Sequence, residues 1–405
     1  MASPDSALPL ILEGLEIPES AYDKAESRYD DLGRFLCREG SRVEHLDPYV
    51  FPQGSFLLGT VIRPLGEEEE YDLDLGCSLR IGVSKSTHSQ KELKELIGLE
   101  LEDYRKERQI RDELDAKRRC WRLAYQDKMA FHMDVVPCIP ERGGEVGLIK
   151  EAMIERGAEE TLANEVADRA VSITDNELPS YPTVSPLWLL SNPQGYGRWF
   201  QSRVELAKPV RDQILMEKRA EVDPVPNNRR KAPLQRVVQL LKRHRDMMFA
   251  EDPDPKPISV IITTLAARAY NGEGTVEEAL ANVLTTMGDH VVPAGKQTAD
   301  GQPIPRVANP VNPAEDFADK WPTKQGLELD LEGNFWKWLE EAQRDFRVLS
   351  DSRDAEGIEK RARRALGLSL DRRLLLEQFG ASVAAPAVHV APLRIVDPPP
   401  QWRGR

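Results

Sequence analysis

Along the first 45 residues, Leu10, Leu12, Leu15, Tyr22, Leu32, Phe35 and Leu36 recur among frequent charges, which predicts largely helical structure. The period then changes. PYVFPQGSFLLGTVIRP brings β-branched and aromatic residues with two glycines, and YDLDLGCSL alternates strictly enough to predict a strand. Between them the acidic run Glu67 to Glu70 reads as a solvated turn. In QKELKELIGLELEDYRKER the residues Leu93, Ile97, Leu101 and Tyr104 return on one side, predicting an amphipathic helix. CWRLAYQDKMAFHMDVVPCI then predicts two strands joined near Gln126-Asp127-Lys128.

After Pro140 the pattern is helical, from about Ala152 to Thr174 and over most of Gly195 to Leu375. Interruptions fall at DPVPNNRRKAP, at DPDPKP and at the long loop GDHVVPAGKQTADGQPIPRVANPVNP. From about Ser382 the chain is rich in Ala, Pro and Val and ends in DPPPQWRGR, an extended tail by composition. The organisation expected is α+β: a mixed α/β lobe over 1–190 that includes the N-terminal helices, a helical lobe over 191–381, and a tail over 382–405.

Composition narrows the function classes. A chain of 405 residues suits two packed lobes rather than one small core. No run of about 18 apolar residues predicts a membrane span. The short N-terminal apolar patch has no basic stretch before it, so a secretory signal is not expected and the cytoplasm is. Cys37, Cys77, Cys120 and Cys138 lack C-x-x-C or metal-site spacing, which argues for buried thiols and against a zinc site or disulfide framework. The net charge of −13 disfavours a grip on long nucleic acid, despite basic patches at 117–119, 229–231 and 242–245. Small anionic ligands carrying Mg²⁺ match that balance better.

The chemistry lies in three carboxylates. Asp72 and Asp74 are two apart in a predicted strand, so both face the same way. Asp134 sits in the apolar strand MAFHMDVVP, sharing a face with His132 and Val136, where an unpaired acid is costly. Hard oxygen ligands converging from neighbouring strands suit Mg²⁺. Two such ions about 3.5–4 Å apart can clamp the attacking and leaving oxygens of an in-line phosphoryl transfer. Upstream, Gly54-Ser55 offers a tight turn with a backbone N–H and a hydroxyl for a triphosphate. D-x-D alone is more often an exposed strand face; Gly-Ser, D-x-D and a later strand Asp in combination are far more specific.

That combination resembles the DNA-polymerase-β-like nucleotidyltransferase superfamily. FPQGSFLLGTVIRP, YDLDLG, FHMDVVP, SNPQGYGRWF, LQRVVQLLKRHRD, PISVIITTLAARAY and NPVNPAEDFADKW together look like the bacterial cGAS/DncV-like nucleotidyltransferases (CD-NTases) of CBASS antiphage systems. The resemblance implies a polymerase-β-like catalytic lobe, a helical lobe and an active site in the cleft between them. It implies that Asp72 and Asp74 bind both metals, and that Asp134 binds the catalytic metal and helps activate the attacking ribose hydroxyl. Gln53, Gly54, Ser55, Lys242 and Ser259 would contact the donor nucleotide. Two Mg²⁺ ions (with Mn²⁺ as a substitute) and ATP with other NTPs are the implied cofactors and substrates. The implied product is a cyclic di- or trinucleotide messenger, with pyrophosphate released. Linear oligonucleotide synthesis, transfer to another acceptor, or an inactive nucleotide-binding scaffold are the alternatives. Operon partner proteins that act on the C-terminal tail are a further implication. The zinc-binding insertion of animal DNA-sensing relatives is missing, so activation by duplex DNA is not implied.

Periodicity bears on Lys242 independently. Leu234, Val237, Val238, Leu241 and Met248 form an apolar stripe, and Lys242 lies at its border with Gln235 and Gln239. A Lys there either reaches into a cleft or snorkels to the surface. Ser259 could cap a helix N-terminus as well as meet a phosphate. His132 reads as packed or solvent-facing, Trp188, Tyr196, Trp199 and Phe200 mostly as lobe-joining core, and Trp321, Trp336 and Trp338 as core. Asn192 could read a base edge or make an Asx-type turn.

Overall fold

A computed structural model describes residues 6–66, 71–125, 131–207, 231–297, 301, 303–312, 314–352 and 354–379. The acidic run at 67–70, the 126–128 turn, Arg229-Arg230 and the tail from 382 lie outside the described residues. Helices α1 (Leu8–Leu15) and α2 (Glu19–Leu36) open the chain. Then come β1 (Pro48–Pro52), the short helix α3 (Gly54–Leu58) and β2 (Tyr71–Leu79), the last spanning the predicted alternating stretch. Helix α4 (Gln90–Glu107) starts at a capping box: Glu92 N–H donates to Ser89 Oγ, and the Glu92 carboxylate accepts from Ser89 N–H at 2.8 Å. Strands β3 (Asp115–Ala116), β4 (Trp121–Tyr125) and β5 (Phe131–Pro140) complete the main path β1-β2-β5-β4-β3. Only the β2–β5 pairing on that path is parallel. One sheet face carries Leu73, Leu75, Leu123, Phe131, Met133 and Val135, which bury with α2 and α4 into the first core. The other face carries Asp72, Asp74, Arg122, His132 and Asp134.

Where helix was expected from 152 to 174, the structure has α5 (Gly144–Glu155), α6 (Glu160–Ala167) and then a strand, β6 (Val171–Ile173). β6 pairs with β5 and with β7 (Leu189–Ser191), and those long-range ladders outweigh three residues' worth of local pattern. The helical lobe follows: α7 (Pro193–Val204), α8 (Pro233–Met248), α9 (Ser259–Ala269) and α10 (Val276–Thr286). Within the segment expected to be loop, β8 (Val292–Gln297) and β9 (Pro303–Arg306) form an antiparallel pair. Helices α11 (Lys324–Glu328), α12 (Leu331–Asp351), α13 (Ala355–Leu366) and α14 (Arg372–Gln378) end the described chain. Among the described residues no helix is long and apolar enough to cross a membrane.

The N-terminal helices divide between the two units. α2 packs on the sheet, but Leu8, Ile11 and Leu15 of α1 are fully buried in the helical core beside Leu234, Val238 and Leu241. Burying each such side chain stabilises by roughly 1.5–3 kcal/mol, so α1 belongs energetically with the helical lobe. A single cut at residue 190 therefore misplaces it. All four cysteines are free thiols; Cys77 and Cys138 are buried as expected, whereas Cys37 at the end of α2 is exposed.

Candidate active site

The site begins at a strand-to-helix turn. After β1 the chain turns at Gly54, whose φ of +62° suits glycine. A Cβ there would lie 2.1 Å from an Asp74 carboxylate oxygen, so glycine also permits the turn to close on Asp74. Gln53 N–H donates to the Asp74 carbonyl at 2.8 Å, and its side-chain amide donates to the Leu75 carbonyl at 3.0 Å. Gln53 thus ties the turn to β2.

Parallel pairing of β2 with β5 sets Asp74 opposite Asp134 and Asp72 opposite His132. Antiparallel pairing of β4 with β5 sets Arg122 opposite Asp134. The polar face therefore carries a row running Asp74, Asp134, Arg122, with Asp72 exposed at its edge and His132 Nδ1 3.8 Å from Asp72. Burial, then the charges of Asp72 and Asp134, push the Asp74 carboxyl up to about 6, although Lys242 and Arg122 pull against them. Arg122 holds both oxygens of Asp134 in a fork, Nε to Oδ1 and Nη2 to Oδ2, each at 2.7 Å. Among the described residues, no three His, Cys, Asp or Glu side chains are already gathered as a metal-binding set. The donor chemistry of Asp72 and Asp74 fits a hard divalent cation, which would relieve their mutual repulsion. Asp134 fits once it releases an oxygen from Arg122.

Helix α8 forms the facing wall. Gln235, Gln239 and Lys242 lie on one ridge, and each donates to a backbone carbonyl of the segment after the turn: Leu58 at 2.9 Å, Val61 at 2.5 Å and Thr60 at 3.0 Å. Arg243 adds a bond to the Arg63 carbonyl. The stripe border noticed in the sequence is therefore a seam on which the helical lobe fixes the Gly-Ser segment. Lys242 is buried, not snorkelling, and burial, then Arg245, pull its ammonium down to about 8 despite Asp246, Asp74 and Asp72. Ser259 opens α9, and its hydroxyl accepts from Arg245 at 2.8 Å.

Gly54, Ser55, Asp72, Asp74, Lys242 and Ser259 line one cleft of about 1100 Å³ between the lobes. Glu315 and Asn309 line it from the far side, joined by an Asn309 Nδ2 to Glu315 hydrogen bond of 2.7 Å. Asn192 caps α7 through Gly195 N–H at 3.0 Å and also borders the cleft, so the Asx reading holds. Tyr196 is buried against Thr264, and Trp188, Phe200, Trp321 and Trp338 are core, whereas Trp336 is exposed. Arg122, Asn309 and Glu315 were not foreseen. The signal for Arg122 was present: a hairpin centred on residue 128 sets 122 against 134.

Residues 48–137 match the family described as Cyclic GMP-AMP synthase DncV-like, nucleotidyltransferase domain. Over 361 residues the chain is 27% identical to a c-di-GMP synthase of Roseivirga ehrenbergii, covering 88% of this chain and 82% of that protein. It is 26% identical to the cyclic dinucleotide synthase CdnG of Bradyrhizobium diazoefficiens over 328 residues, or 79% of this chain and 71% of the relative. The solved structure of that CD-NTase in complex with GTP superposes with a TM-score of 0.61 at 20% identity, covering 93% of this chain and 98% of that one. With the Gly-Ser turn, the carboxylate row and the two-lobed cleft in place, residues 48–137 form a DncV-like nucleotidyltransferase domain, and the chain is similar over most of its length to bacterial CD-NTases.

Proposed function

We propose that this nucleotidyltransferase condenses NTPs, GTP among them, into a cyclic di- or trinucleotide messenger, releasing one pyrophosphate per bond, in antiphage signalling. One observation carries the reading: Asp72 and Asp74 share a face of β2, with Asp74 in register with Asp134, at a cleft whose rim holds Ser55 and Lys242. The names of the two relatives, a c-di-GMP synthase and a cyclic dinucleotide synthase, favour a two-nucleotide ring and guanine. When bound, two Mg²⁺ ions (or Mn²⁺) held by Asp72, Asp74 and Asp134 supply charge neutralisation for the attacking and leaving oxygens.

The rest falls to the chain's own groups. The Ser55 hydroxyl and the backbone at Gly54 hold the donor triphosphate, and Lys242 meets it from the opposite wall. Lys242 keeps most of its charge at neutral pH, and arriving phosphates raise its pKa again. Asp134 gives one oxygen to the ribose hydroxyl and takes its proton, while Arg122 retains the other and fixes the carboxylate's angle. Closure of the α8 seam on segment 58–63 keeps donor and acceptor aligned, and in-line positioning is itself a large part of catalysis.

The test is incubation with Mg²⁺ and labelled NTPs singly and pairwise, followed by phosphatase and linkage-specific nucleases. A phosphatase-resistant product with stoichiometric pyrophosphate is expected. A fully phosphatase-sensitive product means a linear synthase, and no pyrophosphate from any NTP means a binding scaffold.

A further inference from the structure

Residues 307–317 double back as a tight hairpin at the cleft. Phe317 N–H donates to the Val307 carbonyl at 2.9 Å, Asn309 N–H donates to the Glu315 carbonyl at 3.0 Å, and Ala308 bridges Asp316 between them. Residues two apart on paired, extended chain share a face. Asn309, Glu315 and Phe317 accordingly line the cleft together. The two neighbouring acids are used differently. Asp316 Oδ1 accepts from the Val307 and Ala318 N–H groups, both at 2.9 Å, and so fixes the hairpin. Glu315 faces the cleft instead.

The partners of Glu315 are set in advance. Asn309 Oδ1 accepts from Val311 N–H at 2.9 Å, an Asx-type turn that leaves Nδ2 to donate to Glu315 Oε2 at 2.7 Å. Asn312 is held likewise, its Oδ1 accepting from Ala314 N–H and its amide donating to the Leu190 carbonyl, each at 3.3 Å, and it also leans on the Glu315 carboxylate. Arg119 acts on that carboxylate through space but is itself bound to Asp175 at 3.0 Å. Burial lifts the Glu315 carboxyl above the ordinary glutamate range against these partners, and Asp319 adds to the rise. A carboxylate has about four acceptor positions, and the two amides take two. What remains is a partly buried anion at the cleft wall with room for two further N–H donors.

Of the two purines, guanine carries that pair. Its N1–H and 2-amino group sit side by side on one edge, whereas adenine puts the N1 lone pair there and meets the carboxylate as a second acceptor. A site built around such hydrogen bonds discriminates against a ligand that leaves them unmade. Phe317, half-buried on the same face, adds an apolar surface for the base; its ring stands edge-on to Tyr196 with centroids 6.2 Å apart.

We propose that Glu315, oriented by Asn309, selects guanine by accepting from the N1–H and 2-amino groups of one of the nucleotides in the cleft. The proposal rests on the catalytic reading above and adds a base-reading residue to it.

Equilibrium binding of the α,β-methylene triphosphates of guanosine, inosine and adenosine to the full chain, by calorimetry with Mg²⁺, tests it. The wild type is expected to hold the guanosine compound about 30-fold more tightly than the adenosine one. Inosine, which keeps N1–H and lacks the 2-amino group, falls between them. Glu315→Gln keeps an oxygen for Asn309 Nδ2 and so turns its own NH₂ towards the base, a donor where an acceptor stood. In that variant the guanosine compound weakens about 30-fold or more and the adenosine compound tightens, so the preference inverts. Glu315→Ala offers neither group and binds the two purines within about threefold of one another. A wall that is merely misfolded weakens every nucleotide alike and inverts nothing. Equal binding of guanosine and adenosine compounds by the wild type, or a wild-type preference that survives in both variants, overturns the role of Glu315 and leaves the catalytic reading standing. Binding of none of the three by the wild type overturns that reading as well.

Discussion

Two carboxylates removed from bulk water are treated in opposite ways. Asp345, on α12, accepts from His244 of α8 at 3.2 Å and from Arg361 and Arg364 of α13, the latter at 2.7 Å. Burial alone would raise its pKa, but those partners hold it down to about 2. Asp74, in the sheet, has two like charges near it and stands at about 6. The helical lobe satisfies its inward acid with two arginines and a histidine and so joins three helices. The catalytic lobe leaves its own acid short of positive charge and tethers Asp134 to Arg122 beside it. The difference separates their work: Asp345 builds the fold, and in the proposed function Asp74 would take a cation.

The largest effect expected from this contrast is on activity. Asp72→Ala with Asp74→Ala lowers pyrophosphate release at least about a thousandfold, with no loss of melting temperature. A folded double variant that keeps its activity breaks the comparison. The converse change, Asp345→Ala, leaves His244 and Arg361 without their anion and destabilises by about 3–5 kcal/mol in urea denaturation. If it costs less than about 1 kcal/mol, the helical-lobe cluster is not structural.

A smaller effect has the opposite sign. Asp74→Asn removes a carboxylate that is costly to ionise, and raises stability in chelator at neutral pH by on the order of 1–3 kcal/mol. Mg²⁺ then stabilises the wild type more than the variant. The smallest effect is the acid limb. Because the folded pKa of Asp345 is depressed, its contribution is complete above about pH 4 and drains away as pH falls towards about 2. Thermal melts of wild type and Asp345→Asn should therefore converge between those values; parallel curves down to pH 2 would remove the pH argument.

Much of this was legible in the sequence because it is local. The alternation of YDLDLGCSL set β2, the face of Asp72 and Asp74 followed from it, and the border position of Lys242 left a cleft-lining side chain as one of two readings, the one the structure has. The illegible parts depend on distant partners. β6 and β7 have three residues each, too few for a period to show, and exist through their ladders. The β8–β9 pair hides in a stretch rich in Pro and Gly. α1 carries an apolar face that suits either lobe, and only packing assigns it. Asn309 and Glu315 meet across the 307–317 hairpin, and no spacing in the chain announces their meeting.

The central claim is that Asp72, Asp74 and Asp134 form a cation site completed by the nucleotide. Mn²⁺ binding followed by electron paramagnetic resonance, with a non-hydrolysable GTP analogue present, tests it most directly. The account predicts about two tightly held ions per wild-type chain. In Asp72→Asn/Asp74→Asn it predicts none beyond those bound by the nucleotide itself. Equal occupancy in the two proteins would contradict it.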